Sequence, residues 1–158
     1  EKNMRLLSNY GDKMRMHTTL TYEAVAMAGA YGHFSFPVRI QRNGTFFGIE
    51  DMVEDGDDYF LGRLGLDPNG ALYKMYNEMS SASGNEKKTR KQEGTDDLAA
   101  LISNLDETLP QATRVTYAWD NLDLPQTASY FATMALTSSQ DLGHKNYYLY
   151  HDNDGTGE

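Results

Sequence analysis

The sequence lacks cysteine altogether and has only four prolines and one tryptophan in 158 residues. Without thiols the chain can have neither disulfide bonds nor cysteine-ligated zinc, and thiol catalysis is excluded. The absence does not identify a compartment, since both cytosolic and exported proteins can lack cysteine. A domain of this length buries about two-thirds of the surface that its unfolded chain exposes, so a core can form without such staples.

Basic charge is also scarce, because 14 lysines and arginines face 23 acidic residues and the formal net charge is -9. Proteins that bind nucleic acid or anionic membranes non-specifically normally have a basic surface, so the net charge argues against both partner classes. The one basic run, residues 87–91, lies between Glu86 and Glu93 and is predicted to be a solvated loop. No stretch reaches the ~18 apolar residues of a membrane span, and no signal-peptide pattern opens the chain.

The chain does contain a clear succession of helix and strand patterns. Apolar residues three and four apart predict a helix over 12–28, which Gly29 ends. Alternating runs on either side of Asn43-Gly44 predict a β-hairpin over 34–53. Residues 80–94, rich in Ser, Gly, Lys and Glu without periodicity, are predicted to be an exposed loop. Further expected elements are helices over 57–64, 96–106 and 124–137 and strands over 72–75 and 147–150.

A candidate catalytic loop lies between the last predicted helix and strand. Asp141 and Asn146 have the spacing of the protein-kinase catalytic loop, in which the aspartate orients the substrate hydroxyl and the asparagine holds magnesium. Lys145 could neutralise charge on a transferred phosphoryl group. The spacing alone is common in polar loops. Its position after an amphipathic helix and before a short aromatic strand is the one that the motif requires.

Several segments resemble the CotH kinases, atypical protein kinases first associated with bacterial spore coats. The resemblance includes both ends of the chain and is weakest from 80 to 121. The segments that carry it are Leu6-Leu7-Ser8-Asn9-Tyr10-Gly11-Asp12-Lys13, Leu20-Thr21-Tyr22-Glu23, Val38-Arg39-Ile40, Asn43-Gly44-Thr45-Phe46-Phe47-Gly48, Glu54, Phe60-Leu61, Leu72-Tyr73-Lys74, and Asp141 through Asn146-Tyr147-Tyr148-Leu149-Tyr150.

The resemblance implies an α+β, protein-kinase-like fragment: a helix, an antiparallel β-hairpin, a hinge and a mostly helical carboxy-terminal lobe. A single domain would span 1–158, with an amino-lobe part over 1–53 and the hinge and carboxy-lobe part over 54–158. The family's lysine-bearing strand would precede Glu1 and its Trp-Asp metal-binding segment would follow Glu158. We therefore expect a fragment truncated at both ends and inactive alone.

The resemblance also implies residue roles. Asp141 and Lys145 would be catalytic and Asn146 a metal ligand, while Glu23 would pair the phosphate-binding lysine and Glu54 would lie at the hinge near the nucleotide base. The implied activity is that of an atypical Ser/Thr protein kinase using ATP with Mg²⁺ or Mn²⁺ on protein substrates. By family analogy these are coat or surface proteins in a bacterial spore-coat, exported or cell-surface setting.

The same residues also allow interpretations without a kinase site. Glu23 could be a solvated helix carboxylate and Glu54 a turn residue. The fold could serve a catalytically silent coat-assembly or adhesion module, which has no chemical need for Asp141 and Asn146. Aromatic residues such as Trp119 could form a carbohydrate platform if they are exposed, although strand and helix aromatics are more often core. Asp152-Asn153-Asp154-Gly155 is similar to the start of a calcium loop but lacks the later glutamate.

Overall fold

Helices and strands alternate through the part of the chain that the computed structural model describes, residues 3–138 and 146–155. Two three-stranded antiparallel sheets and five helices in this part confirm the predicted α+β class. The chain divides into two compact units, Glu1–Asp55 (unit 1) and Gly56–Glu158 (unit 2). In chain order the elements are β1 (Met4–Leu7), α1 (His17–Met27), β2 (Ser35–Arg42), β3 (Thr45–Glu54), α2 (Asp58–Arg63), β4 (Ala71–Met75), β5 (Glu86–Lys87), α3 (Asp96–Leu105), α4 (Gln111–Asn121), α5 (Leu124–Leu136) and β6 (Tyr147–His151).

The sheet of unit 1 has the strand order β1-β3-β2. Strands β2 and β3 form the expected hairpin, and its two turn residues, Asn43 and Gly44, have φ values of 53° and 79°. Two successive positive φ values are what a tight two-residue hairpin turn requires, which is why Asn-Gly is favoured there. The predicted hairpin is therefore confirmed, and β1 adds a third strand to it.

Helix α1 begins later than its apolar pattern predicts. The carboxylate of Asp12 accepts the backbone N–H groups of Met14 and Met16 at 2.9 Å and of His17 at 2.7 Å. These donors, His17 foremost, lower the pKa of Asp12. Because the side chain holds residues 12–16 in a loop, the helix starts only at His17.

The interior of unit 1 is largely polar. Asp51 on β3 is fully buried and accepts hydrogen bonds from Asn9 Nδ2 and, at 3.4 Å, from Thr19 Oγ1. The hydroxyls of Thr19 and Ser35 lie 3.3 Å apart. All four side chains are buried, and they come from the loop after β1, from α1, from β2 and from β3. A buried carboxylate is costly unless it is hydrogen-bonded, so this network fixes helix and sheet together.

The sheet of unit 2 has the order β5-β4-β6. Successive residues of its central strand, β4, point to opposite faces. On one face Ala71, Tyr73 and Met75 pack with Leu98 of α3. On the other face Leu72 packs with the buried residues of α2, Phe60 and Leu61. Strand β4 therefore forms the centre of both apolar clusters.

Strand β6 is fixed to its surroundings by tyrosine rings that lie over glycines. A methyl group added at Gly56 would stand 2.5 Å from the ring of Tyr148, and one added at Gly70 would stand 2.5 Å from the ring of Tyr150. The hydroxyl of Tyr150 accepts the backbone N–H of Asp67 at 3.2 Å and lies 3.3 Å from its carbonyl. Only glycine leaves room for these contacts.

The sequence patterns do not predict three of the described elements: β1, β5 and α4. Two of them are short strands of four and two residues, and α4 contains Thr, Arg and Asp among its apolar residues. Segment 80–94, expected to be an exposed loop, contains β5, and the side chains of Lys87 and Lys88 in it are only 8% exposed. Both ammonium groups have carboxylate partners, which is why lysines can be buried there.

No helix among the described residues is both long and apolar enough to span a membrane.

Replacing Gly70 with alanine should destabilise the chain by about 1–3 kcal/mol, because the added methyl group displaces the ring of Tyr150 from a packed site. Urea unfolding followed by circular dichroism gives the midpoint. Gly94→Ala is the matched control, since its nearest neighbour would lie at 3.6 Å. Equal midpoints for the two variants would show that the Tyr150 ring does not depend on Gly70.

Candidate functional site

The candidate metal ligand Asn146 lies at the start of β6. Its backbone N–H donates to the carbonyl of Met75 at 2.8 Å, and its φ of 59° lies in the left-handed region that asparagine tolerates better than most residues. Asn146 is exposed. The strand that follows pairs with β4 from Tyr147 opposite Met75 to His151 opposite Ala71. The site residue is therefore held by backbone while its carboxamide is open to a ligand.

The other predicted residues of the catalytic loop, Asp141 and Lys145, lie outside the described residues, as does His144. Their assignment as catalytic residues stays a prediction from the motif. Of the three predicted site residues in that loop, Asn146 is the one that the structure describes.

Glu23 and Glu54 both belong to unit 1 but differ in environment. Glu23 is exposed on α1, and no hydrogen bond or ion pair joins its carboxylate to another described residue. Glu54 ends β3 and is only 5% exposed. Its Oε2 accepts the N–H of Phe34 at 3.1 Å, and its own N–H donates to the Phe34 carbonyl at 2.8 Å. Glu54 is therefore a buried strand residue, not an exposed turn residue.

Strand β1 is the element before α1, so it is the strand to compare with the one that carries the phosphate-binding lysine in protein kinases. In protein kinases that lysine lies on a strand and pairs with a glutamate of the regulatory helix. The basic residue on β1 is Arg5, and it forms a salt bridge of 2.7 Å with Asp55. Within the described residues, β1 therefore supplies an arginine engaged elsewhere and no lysine.

A magnesium ion takes oxygen ligands, including carboxylate and amide oxygens. The exposed carboxamide of Asn146 fits one such position. Residues 3–138 and 146–155 contain no cluster of three or more histidine or acidic side chains that could hold a metal by themselves. Of the described residues, Asn146 is therefore the candidate that could supply one oxygen ligand, and the further ligands would have to come from other groups.

A cluster around Asp97 is the part of this region that sequence reasoning missed. Tyr73 donates its hydroxyl to Asp97 Oδ1 at 2.5 Å, and His151 Nδ1 lies 3.2 Å from Asp97 Oδ2. The ammonium of Lys87 lies 3.9 Å from Asp97 Oδ1 and 5.1 Å from the centre of the Tyr73 ring. The four residues come from β4, β5, α3 and β6, so no local pattern could have joined them.

Titration in this cluster follows from burial and hydrogen bonding. Burial and the neighbouring Asp97 carboxylate raise the pKa of Tyr73, which keeps the phenol protonated. For Asp97, burial acts to raise the pKa, but hydrogen bonds from Tyr73, His151 and the backbone of Leu98 outweigh it and lower the pKa. The described geometry therefore holds Asp97 as a carboxylate.

The turn after β6 is bonded within the protein. Asp152 Oδ1 accepts the N–H of Gly155 at 2.9 Å, Asn153 Oδ1 accepts the N–H of Ala71 at 2.9 Å, and Asp154 accepts Arg90 Nη1 at 3.0 Å. These oxygens close a turn and bind neighbouring elements. The geometry does not favour the calcium-loop alternative.

Of the aromatic residues that the carbohydrate alternative named, one is largely exposed. Tyr22, Tyr147, Tyr148 and Tyr150 are each partly buried, whereas Trp119 is 72% exposed. A carbohydrate platform needs several exposed rings. This group of residues therefore does not support the carbohydrate-binding alternative.

Residues 1–158 match the family described as CotH kinase protein, which is the whole chain. The chain therefore belongs to the CotH kinase family, and the resemblance inferred from its segments is confirmed. Among curated proteins no match was found.

Replacing Asp97 with asparagine should lower stability by about 1–3 kcal/mol at pH 7, because the hydrogen bonds to a charged acceptor are lost. The lowered pKa means that the carboxylate stabilises the fold above its unfolded pKa, near 3.8, and ceases to do so as pH falls through the folded value. The difference between wild type and variant should therefore shrink below about pH 4. Urea midpoints at pH 7, 5 and 3 measure it.

Asp96→Asn is the control for this experiment, because Asp96 is the exposed neighbour of Asp97 in the same helical turn. It should change the midpoint little at any of the three pH values. A wild-type advantage over Asp97→Asn that persists undiminished at pH 3 would contradict the assigned role of the carboxylate.

Proposed function

We propose that this chain is part of an atypical Ser/Thr protein kinase that transfers phosphate from ATP to protein substrates with the help of Mg²⁺ or Mn²⁺. The observation that carries the proposal is the exposed Asn146 at the start of β6, five residues after Asp141, in a chain that matches the CotH kinase family throughout. By family analogy its substrates are coat or surface proteins, and its setting is the spore coat, an exported location or the cell surface of bacteria.

The order of elements supports this proposal. Protein kinases place a regulatory helix, an antiparallel strand pair, a hinge and then a mostly helical lobe along the chain. Here α1 precedes the β2–β3 pair, β3 ends at Glu54, and α2, α3, α4 and α5 follow, with β6 after the candidate loop. A fold does not determine a function by itself, so the proposal depends on the site residues.

In the proposed reaction the oxygen of a substrate hydroxyl bonds to the γ-phosphorus of ATP as the bond from that phosphorus to the β–γ bridging oxygen breaks. ADP leaves, and the hydroxyl proton passes to the carboxylate of Asp141. Lys145 offsets negative charge on the transferred group. Asn146 would supply one ligand of a divalent metal, which would neutralise phosphate charge.

Two glutamates would serve the nucleotide. Glu23 has an exposed carboxylate without a partner among the described residues, so it could pair with a phosphate-binding lysine. Glu54 differs, because the N–H of Phe34 already engages its Oε2. We propose that Glu54 acts at the hinge by fixing the end of β3 near the nucleotide base.

The proposal is tested on the full-length product of the gene with labelled ATP and Mg²⁺ or Mn²⁺. Asp141→Ala should reduce phosphate incorporation by about 10²-fold or more, since it removes the group that receives the proton. Asn146→Ala should reduce it by about tenfold to 100-fold through weaker metal binding. Asp120→Ala and Asn104→Ala, which change exposed residues of the same types on α4 and α3, should leave incorporation unchanged.

Unchanged incorporation in both site variants, with folding intact, would move the chemistry to other residues. If the wild type itself incorporates no phosphate and binds no nucleotide, the silent coat-assembly or adhesion module is the better reading.

A further inference from the structure

We name residues 152–155, the turn that follows β6, the exit turn. The exit turn is hydrogen-bonded to two other parts of unit 2, and the last residue of β6 contacts a third. Asn153 Oδ1 accepts the N–H of Ala71 at the start of β4, Asp154 accepts Arg90, and His151 just before the turn contacts Asp97 at the start of α3.

Arg90 is the first of two anchors at the end of β6, and it bonds the exit turn. Its Nη1 donates to Asp154 Oδ2 and to the carbonyl of Asn69, each at 3.0 Å, and its Nε donates to Glu93 Oε2 at 2.7 Å. One guanidinium thus joins the turn before β4 to the turn after β6. A single pair with the 63% exposed carboxylate of Asp154 would contribute little alone.

The backbone of Arg90 adds to this picture, because its φ is 48°. Residues other than glycine adopt this left-handed conformation uncommonly. The three hydrogen bonds of the guanidinium help to hold it. The arrangement places the side chain between the two turns.

Asp97 is the second anchor. It faces His151 and also Tyr73 and Lys87, so it links the last residue of β6 to β4 and β5. Two other polar groups lie close by: the carboxylate of Glu93 is 3.6 Å from the ammonium of Lys87, and the Asn153 amide nitrogen is 3.1 Å from His151 Nδ1. Because a carboxylate can only accept, His151 Nδ1 donates to Asp97, and it cannot at the same time accept from Asn153.

Strand β6 needs such anchors because it is short and lies at the sheet edge. It has five residues and, within the described part of the chain, pairs on one side only, with β4. A slip of one residue would turn each side chain to the opposite face. Asn146 is fixed at the other end of the strand by one backbone hydrogen bond to Met75.

We propose that Arg90 and Asp97 are positioning residues: Arg90 holds the exit turn, Asp97 holds His151 at the end of β6, and together they keep β6 in register on β4 and so fix Asn146 for binding a divalent metal. The role in metal binding rests on the proposed kinase function. In this proposal segment 86–97, which we call the brace, holds the carboxy-terminal end of β6, opposite the end at which Asn146 lies. Neither residue contacts substrate or nucleotide in this proposal.

The first test measures the brace without any activity. Hydrogen exchange of the amides of 147–155 is compared in the full-length protein, in the double variant Arg90→Gln/Asp97→Asn and in the control Lys91→Gln/Asp96→Asn. Protection should fall by about tenfold or more in the first variant and by less than about twofold in the control. Equal protection in the two variants would overturn the proposal. If the double variant does not fold, Arg90→Gln with Lys91→Gln as control replaces it.

The second test separates positioning from general destabilisation. In the double variant the Mg²⁺ or Mn²⁺ concentration for half-maximal phosphate incorporation should rise by about tenfold, as is typical when a group supporting a metal ligand is lost. The KM for the protein substrate should stay unchanged. An unfolded fraction lowers the maximal rate but changes neither the metal constant nor the KM. A positioning role is therefore refuted if both constants stay unchanged, or if both change equally.

The two proposals can fail separately. If Asn146→Ala leaves phosphate incorporation and its metal dependence unchanged, the metal assignment of the proposed function is wrong. Hydrogen exchange then decides the brace alone: loss of protection only in the Arg90/Asp97 variant supports it, and unchanged protection refutes it.

Discussion

Strand β4 has to satisfy both of its edges and both of its faces at once, and the fold of unit 2 depends on that requirement. Its edges pair with β5 and β6, and its faces pack on α3 and on α2. Four of its five residues are buried hydrophobic residues, and the fifth, Lys74, is partly buried. A central strand can be apolar on both faces only if helices or loops lie over both. Once β4 is buried in this way, β6 has one place to pair, and the position of Asn146 follows from that pairing.

Unit 1 differs from unit 2 in the kind of contacts that hold it together. Its buried apolar residues are few in the described part, mainly Val25 and Ala30, whereas the carboxylate of Asp51 lies at the centre of a hydrogen-bonded group with Asn9, Thr19 and Ser35. Buried polar groups stabilise only when each has its partner, but their directional bonds specify one arrangement of helix on sheet. The helix that carries Glu23 is therefore fixed by polar contacts one turn earlier, at Thr19.

Local signals predict much of this fold, and their limits are physical. The Asn43-Gly44 hairpin, the Pro125-containing start of α5 and the aromatic strand β6 are all predictable, because turn chemistry, helix-start preference and strand composition are written in neighbouring residues. Strands β1 and β5 are too short to show a period, and only their partners make them strands. The basic run at 87–91 is misjudged for the same reason, since the carboxylates that permit burial of Lys87 include Asp97, ten residues away.

The residues of the candidate site also differ in whether local sequence predicts them. Asp141 and Asn146 are found by spacing, because a catalytic loop carries its reacting groups close together in sequence. Arg90, Asp97 and His151 are invisible to spacing, since their contacts join residues 54 to 64 positions apart. The two residues of this motif lie close together in sequence, while groups that hold a loop in place can come from any element packed beside it. Sequence motifs therefore recover the reacting residues of such a site more readily than the contacts that position them, and those contacts have to be read from the packing of β4, β5, α3 and β6.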